Sequence, residues 1–558
     1  MTSNGVHASS DAYVREYAAA DPIGATFMGV GGHDDRMTDY SPDGFAARAQ
    51  LARVALAEVR RAQPCDDAET TAAAVFTERV GLDLEIHEAG LDMAQLNVIA
   101  SPVQDVRMVF DLMLTTETRD WEAIAARLAR VPDALAGLRA SLLAASAAGH
   151  TAALRQVRRV AAQCDTWAGA GGKQPFFDVL VAGADGVPES LRTELVSGAA
   201  AASQAYARLA TFLRDELAPR APQRDAVGAD RYQLWSRYFL GSRIDLAEAY
   251  AWGWEEFLRL ETEIRQVADR IVAGGTPAQA AAALDSDPRH LVHGHEDLQR
   301  WMQRLSDDAL VALRGSQFDI PDRVMALECR IAPPGGGVGA YYTGPDENFS
   351  RPGRMWFSLP EDREDFPTWR EVTTVYHEGV PGHHLQVATA VHVADRLNAF
   401  QRLMCWVSGH GEGWALYAER LMRELGYLDD DGELLGMLDA QLFRAARVVV
   451  DIGMHLELEI PAGTGFHEGQ RWTPELGLEF MLDRTISDPA HVHDEIDRYL
   501  GWPGQAPSYK LGERCWLAAR DDARRRHGAG FDLVSFHRAA LEMGAMGLDT
   551  LTERLTQL

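Results

Sequence analysis

The sequence predicts a mostly α-helical protein with one short β-containing segment, set just before its most chemically suggestive motif. Three observations carry that prediction. Apolar residues recur at three- and four-residue steps over long stretches of the 558-residue chain. Ala, Leu, Arg and Glu, all good helix formers, fill the positions between them. Gly and Pro cluster most densely in one region, 330–360.

Taken in order, "GFAARAQLARVALAEVRRAQ" (44–63) is the first clear amphipathic helix. "WEAIAARLARVPDALAGLRASLLAASAAG" (121–149) follows, and Pro132 predicts a kink or a pair of helices within it. "LAEAYAWGWEEFLRLETEIRQVADRIV" (246–272) is the third. No heptad is sustained and no fixed-period repeat stands out. In "RIAPPGGGVGAYYTGPDENFSRPGRMWFSLP" (330–360), the runs "GAYYTG" and "RMWFSL" have strand character and are joined by turn residues, which predicts a small hairpin or sheet. That segment marks the expected division into a helical N-terminal region, 1–329, and a catalytic region, 330–558. The latter continues with "SGHGEGWALYAERLMREL" (408–425), helical after a Gly-rich start, and the apolar helix "RAARVVVDIGMH" (444–455).

Length and charge bound the function. A chain this long needs two or three packed regions. Its formal net charge of -28 argues against nucleic-acid or anionic-membrane partners, which call for a basic surface. The first residues show neither a basic stretch nor an apolar run of secretory type, and no apolar run is long enough to span a membrane. The five cysteines (Cys65, Cys164, Cys329, Cys405, Cys515) are scattered and form no C-x-x-C, so buried free thiols in a reducing cytoplasm are expected.

"VYHEGVPGHHLQ" (375–386) opens like the zinc pattern H-E-x-x-H with His377 and Glu378, but Pro381 stands where the second histidine belongs. H-E-x-x-H works because residues four apart project from one side of a helix. His383 comes six residues after His377, about 120° away around a regular helix. His384, one further, is back in phase but about 10 Å along the axis. Neither pair can share an ion at the roughly 2.0–2.1 Å of a zinc–nitrogen bond unless the helix is interrupted. Pro381 lacks an N–H and Gly382 tolerates unusual backbone angles, so a bulge looping out two residues would return His383 to the His377 side. The competing reading is a helix cap followed by solvent-facing histidines.

A catalytic His-His-Glu site takes its carboxylate from a following helix and leaves one position for water. Glu412, in the first turn of the 408–425 helix, is the expected third ligand. Glu419 lies seven residues on along the same face, as a supporting or surface residue, and His410 is the rival ligand. "HEGQ" at His467 has no second histidine four residues on, and "HLVHGHED" (290–297) has no partner helix; both are expected to be surface loops.

Three motifs together make the chain resemble the bacterial domain-of-unknown-function family 885. They are H-E-x-x-P-G-H (His377–His383), E-G-W-A-x-Y-x-E (Glu412–Glu419) and P-G-Q-A-x-S-Y-K-x-G (Pro503–Gly512). "DDRMTDYSPDG" (34–44) and "SRPGRMWFSL" (350–359) extend the resemblance over nearly the whole chain. The family is similar to helical gluzincin zinc metallopeptidases, such as the carboxypeptidase Taq, oligopeptidase and angiotensin-converting-enzyme groups. The resemblance implies a multi-helix fold with a deep central cleft, of which 1–329 would form one wall, and a zinc at its floor. It also implies His383 rather than His384 as ligand, because the second histidine is replaceable in the family pattern.

Roles follow around such a metal. Glu378, beside a ligand histidine, is the expected general base; a solvent-facing helix carboxylate is the alternative. Tyr509 leads as donor to the oxyanion, with Tyr499 and His455 as rivals, against the reading of a buried structural tyrosine. Arg447 or Lys510 would receive a substrate carboxylate, unless Arg447 instead forms a buried ion pair with Asp451. Tyr341 and Tyr342 would line the site, with "GAYYTG" binding peptide backbone by strand addition. The expectation is a cytoplasmic zinc-dependent metallopeptidase, monomer or homodimer, acting on short peptides as a carboxypeptidase or dipeptidase, with Mn or Co as substitute metals. The alternatives are a metal-dependent hydrolase of a non-peptide amide or ester, and a catalytically silent helical binding protein.

Overall fold

The computed structural model describes residues 5–332, 339–359 and 363–557. Helix accounts for 68% of the chain and the sheets are small, so the protein is mostly α. Two compact units divide it: Met1–Val227 with Asp494–Trp502, and Gly228–His493 with Pro503–Leu558. The division thus falls at 227/228 and not at the 329/330 boundary expected from the Gly- and Pro-rich segment. Helix packing is the reason. Leu246–Ile271 runs along Asp431–Leu456, so closely that a Cβ on Gly253 would sit 2.8 Å from Val448.

In the first unit, the helix Pro42–Arg61 starts where Ser41 Oγ accepts from the Gly44 N–H at 3.2 Å, with Pro42 in its first turn. The 121–149 stretch is a pair of helices, Thr118–Leu128 and Val131–Ala147, with Pro132 opening the second. Their apolar faces join a core that includes Val103, Phe110, Ile124, Leu138, Phe177 and Tyr206. Fully buried Arg127 donates to the backbone oxygens of Pro22 (3.2 Å), His33 (3.1 Å) and Arg36 (2.9 Å). A buried guanidinium must have its donors met, and here it pins the "DDRMTDYSPDG" stretch to the core.

The second unit carries five strands among the described residues: β1 (Leu291–His293), β2 (Leu327–Ile331), β3 (Gly339–Thr343), β4 (Gly353–Ser358) and β5 (Asp365–Pro367). β3 and β4 form the predicted antiparallel hairpin, and β2 adds a parallel strand to give the order β2-β4-β3. Residues 333–338 and 360 of the predicted segment lie outside the described residues. The "HLVHGHED" stretch is not a loop, since β1 pairs with β5 and His290 is buried. His467 sits in a turn and meets Glu479 at 2.8 Å.

The Gly-rich start of the 408–425 segment is itself helical, because the helix runs Ser408–Glu424. Its glycines are there for packing. A Cβ on Gly413 would lie 2.5 Å from the Gly512 carbonyl carbon, and one on Gly512 2.0 Å from Gly409 O. The Ser408–Glu424 and Ser508–His527 helices therefore meet backbone to backbone, which only glycine permits. All five cysteines are free; Cys164, Cys329 and Cys405 are buried, whereas Cys65 is exposed and Cys515 partly so, against the expectation of burial throughout. Among the described residues no helix is long and apolar enough to cross a membrane.

Candidate metal centre

The interruption at Pro381 is more drastic than a bulge. One helix, Glu371–Glu378, ends at the ligand-type pair, and a second, His383–His392, begins after a four-residue link. The link runs through Gly379, a cis Val380–Pro381 peptide and Gly382. Gly382 N donates to Tyr376 O at 3.0 Å, and a Cβ there would lie 1.9 Å from His377 O, so the turn folds back onto the helix it leaves. Trp414, one turn-step past Glu412, donates its indole N–H to Pro381 O (2.8 Å) and Gly382 O (3.2 Å). The helix that brings Glu412 thus also clamps the link that redirects His383.

The result joins three side chains. Glu412 Oε2 lies 3.3 Å from His377 Nε2 and 3.6 Å from His383 Nε2. One donor atom from each of the three falls within 4.8 Å of the others. Donors at 2.0–2.1 Å from a common tetrahedral centre would be about 3.3–3.4 Å apart. Glu412 Oε2, the oxygen that faces both imidazoles, is buried without a hydrogen bond, a deficit that native interiors seldom carry without a reason. Two imidazoles and a carboxylate, closely spaced and short of partners, fit a divalent cation.

The electrostatics favour positive charge here. Burial pushes the His377 imidazole down, but the adjacent Glu412 and Glu419 carboxylates and the charge of Glu378 outweigh it and raise its pKa to about 10. Burial would raise Glu412, yet His377 and His383 hold its carboxyl far below the ordinary range. Glu419 is also lowered against its own burial, by His377 and the Arg444 charge. Behind His377, Nδ1 meets Glu419 Oε1 at 2.7 Å, and Glu419 Oε2 accepts from Gln441 Nε2 at 3.2 Å. Glu378 is buried, and its charge is among those that raise His377.

His384 faces elsewhere. Its Nε2 donates to Val324 O at 2.7 Å and its Nδ1 takes the Tyr342 hydroxyl at 2.9 Å, while burial lowers its pKa to about 4. Tyr342 is therefore bound to a structural histidine. Tyr341 stays 38% exposed on edge strand β3, stacked on Trp356. His410, the rival ligand, is outside the triad and meets Gln386 at 3.2 Å.

Lys510 does not await a substrate carboxylate. It is 0% exposed, 3.1 Å from Glu256, and bonded to Glu513 and Gln441. An ammonium so enclosed has its charge already answered, which corrects the sequence expectation. His455 is 0% exposed too, beside Asp451 (3.9 Å) and the Tyr232 ring, and so cannot reach an oxyanion delivered from solvent. Asp451 takes the Tyr232 hydroxyl (2.6 Å) and the Gly504 N–H (2.9 Å), fixing the start of the third motif. Tyr499 belongs to the first unit, where its hydroxyl bonds Glu495 at 2.7 Å. Tyr509 opens the Ser508–His527 helix half-buried, with the Arg447 guanidinium 4.7 Å over its ring.

Two residues were not legible as site residues. Gln441 has no local motif around it. Trp406 lies 6.2 Å, ring to ring, from His383 and rests against Gly411, where a Cβ would come within 2.5 Å of the indole. It remains 55% exposed, unusual for a tryptophan beside so buried a cluster. The signal available was its place two residues before the Gly-rich helix start.

The family model described as "Bacterial protein of unknown function (DUF885)" matches residues 22–555. No curated protein sequence matches the chain. Two solved structures resemble it in fold. One is a protein described as a "putative lipoprotein" from Colwellia psychrerythraea, 23% identical, with a TM-score of 0.84 over 99% of this chain and 98% of that one. The other, described as a "putative lipoprotein of unknown function", is from Shewanella oneidensis and is 16% identical, with a TM-score of 0.76 over 99% and 100%.

Proposed function

The chain belongs to that bacterial family, and from the triad it carries we propose that it is a metal-dependent hydrolase of peptide bonds in short peptides. The observation that carries this reading is the convergence of His377, His383 and Glu412, with the buried Glu412 Oε2 left without a hydrogen bond. This donor set suits zinc best, with manganese or cobalt as substitutes. When bound, such an ion supplies Lewis acidity and makes water acidic near neutral pH.

The chain's own groups would do the rest. Glu378, buried next to His377, takes up the proton of the attacking water and returns it to the leaving amine. Tyr509, lying under the Arg447 guanidinium, is the candidate donor to the oxyanion. β3 is an edge strand and can pair with an extended peptide backbone, with Tyr341 exposed alongside. Trp406 offers the peptide an apolar surface next to His383. The free thiols suit a reducing cytoplasm, whereas the neighbours described as lipoproteins share only the fold.

The test is a Glu378→Gln variant with metal analysis and a peptide library. The reading predicts one metal ion per chain in both proteins and a loss of about 10²–10⁴-fold in hydrolysis in the variant. Metal with turnover confined to esters or non-peptide amides contradicts the peptidase assignment. Absence of both metal and turnover contradicts hydrolysis altogether.

A further inference from the structure

We propose that Gln441 and Lys510 are positioning residues whose hydrogen bonds hold the Glu419 carboxylate where it accepts from His377 Nδ1, leaving Nε2 as the nitrogen that offers a lone pair to a cation. The inference rests on the triad being a cation site, and not on which bond the protein cleaves.

The argument is one of donors and acceptors. A lysine ammonium can only donate, so the Gln441 atom facing Lys510 is the carbonyl Oε1. The amide NH₂ of Gln441 is thereby turned to Glu419 Oε2, at 3.2 Å. A carboxylate only accepts, so the other oxygen, Oε1, accepts a hydrogen bond from His377 Nδ1–H at 2.7 Å. With Nδ1 carrying hydrogen, the proton a cation displaces is the one on Nε2, and the lone pair is then presented at Nε2, the atom that faces Glu412. Each link in the chain Lys510, Gln441, Glu419, His377 has only one arrangement that satisfies every partner.

The anchor is built to stay put. Lys510 is held by Glu256 and Glu513, and Arg420 binds the same two carboxylates at 3.2 Å and 3.0 Å. Four helices contribute to it: Leu246–Ile271, Ser408–Glu424, Asp431–Leu456 and Ser508–His527. Buried ion clusters are seldom the most stable way to fill space, since apolar residues often do as well. A cluster that ends on an amide, which ends on a carboxylate, which ends on a ligand-type histidine, has an orienting use that packing lacks. It also explains why a lysine from the third motif belongs with a histidine from the first.

Zinc affinity of the full chain, measured by competition with a chelator, tests this without reference to turnover. Gln441→Leu should bind zinc about 10–100-fold more weakly. In the zinc-loaded wild type, the His377 Nδ1–H should give a slowly exchanging proton resonance that exchanges faster in the variant. Gln441→Glu keeps the size but sets an acceptor against Glu419, and should lose affinity as well. If both variants bind zinc within about twofold of wild type and the proton is unchanged, the relay is wrong while the metal site stands. If the wild type itself binds no zinc, both the relay and the hydrolase reading fail together.

Discussion

His383 and His384 are neighbours in sequence, yet they lie in two differently built regions of the second unit. Around His384 the protein completes its hydrogen bonds: a carbonyl on one ring nitrogen, a tyrosine hydroxyl on the other. His537 is treated the same way, by Tyr417 at 2.7 Å and Gln317 O at 3.2 Å. Burial drives both of these imidazoles neutral, with pKa values lowered to about 4. Around His383, buried nearly as deeply, the imidazole instead faces a Glu412 oxygen that has no hydrogen bond, amid a surplus of carboxylate. The first region spends its polar groups on holding the fold. The second withholds them, which suits a ligand and not a packing role.

The contrast is broken most directly by exchanging the neighbours' fates. His383→Gln should weaken metal binding by more than the roughly 100-fold a supporting residue can cost. His384→Gln should leave metal binding nearly intact and instead lower stability by about 1–3 kcal/mol, through the unmet Val324 and Tyr342 partners. Equal effects of the two variants on metal affinity, read by chelator competition, would erase the distinction.

A second effect sharpens the structural side. His537 has a folded-state pKa of about 4, below the ordinary 6.5, so in acid the unfolded chain takes up the proton first. The stability tied to neutral His537 is therefore fully present above pH 6.5 and is lost as the pH falls toward 4, by about 3 kcal/mol in all. Urea midpoints of wild type should drop through that window more steeply than those of His537→Gln. Parallel profiles would mean that the ring is not held neutral.

The smallest effect concerns substrate. Trp406→Ala should lower kcat/KM by about tenfold or less for peptides with an aromatic or large apolar residue at the scissile bond, and leave glycine and alanine peptides near wild type. A uniform loss across the library would make Trp406 a packing residue.

The helices were legible because their signals are local: Pro132 dividing the 121–149 stretch in two, and apolar periodicity along 44–63 and 246–272. The triad was legible for a different reason, because a disrupted spacing between His377 and His383 calls for a break and supplies the Pro-Gly to make it. What could not be read depends on distant partners. The fate of Lys510 is decided by Glu256, on a helix far earlier in the chain. Gln441 gains its meaning only when Glu419 and Lys510 arrive on either side of it. β2 was missed because a five-residue strand beside a Gly- and Pro-rich stretch carries little pattern of its own, and the unit boundary because Pro219, Pro222 and Gly228 punctuate the chain there more sparsely than the 330–360 segment, which helix packing crosses.

One measurement bears on the central claim above the others: the anomalous scattering of crystals grown from zinc-loaded protein. The account predicts a single strong peak bonded to His377, His383 and Glu412, with nitrogen distances of about 2.0–2.1 Å, and its disappearance in His383→Gln. Zinc located elsewhere, or a triad closed on itself by hydrogen bonds in crystals soaked with excess metal, would contradict it.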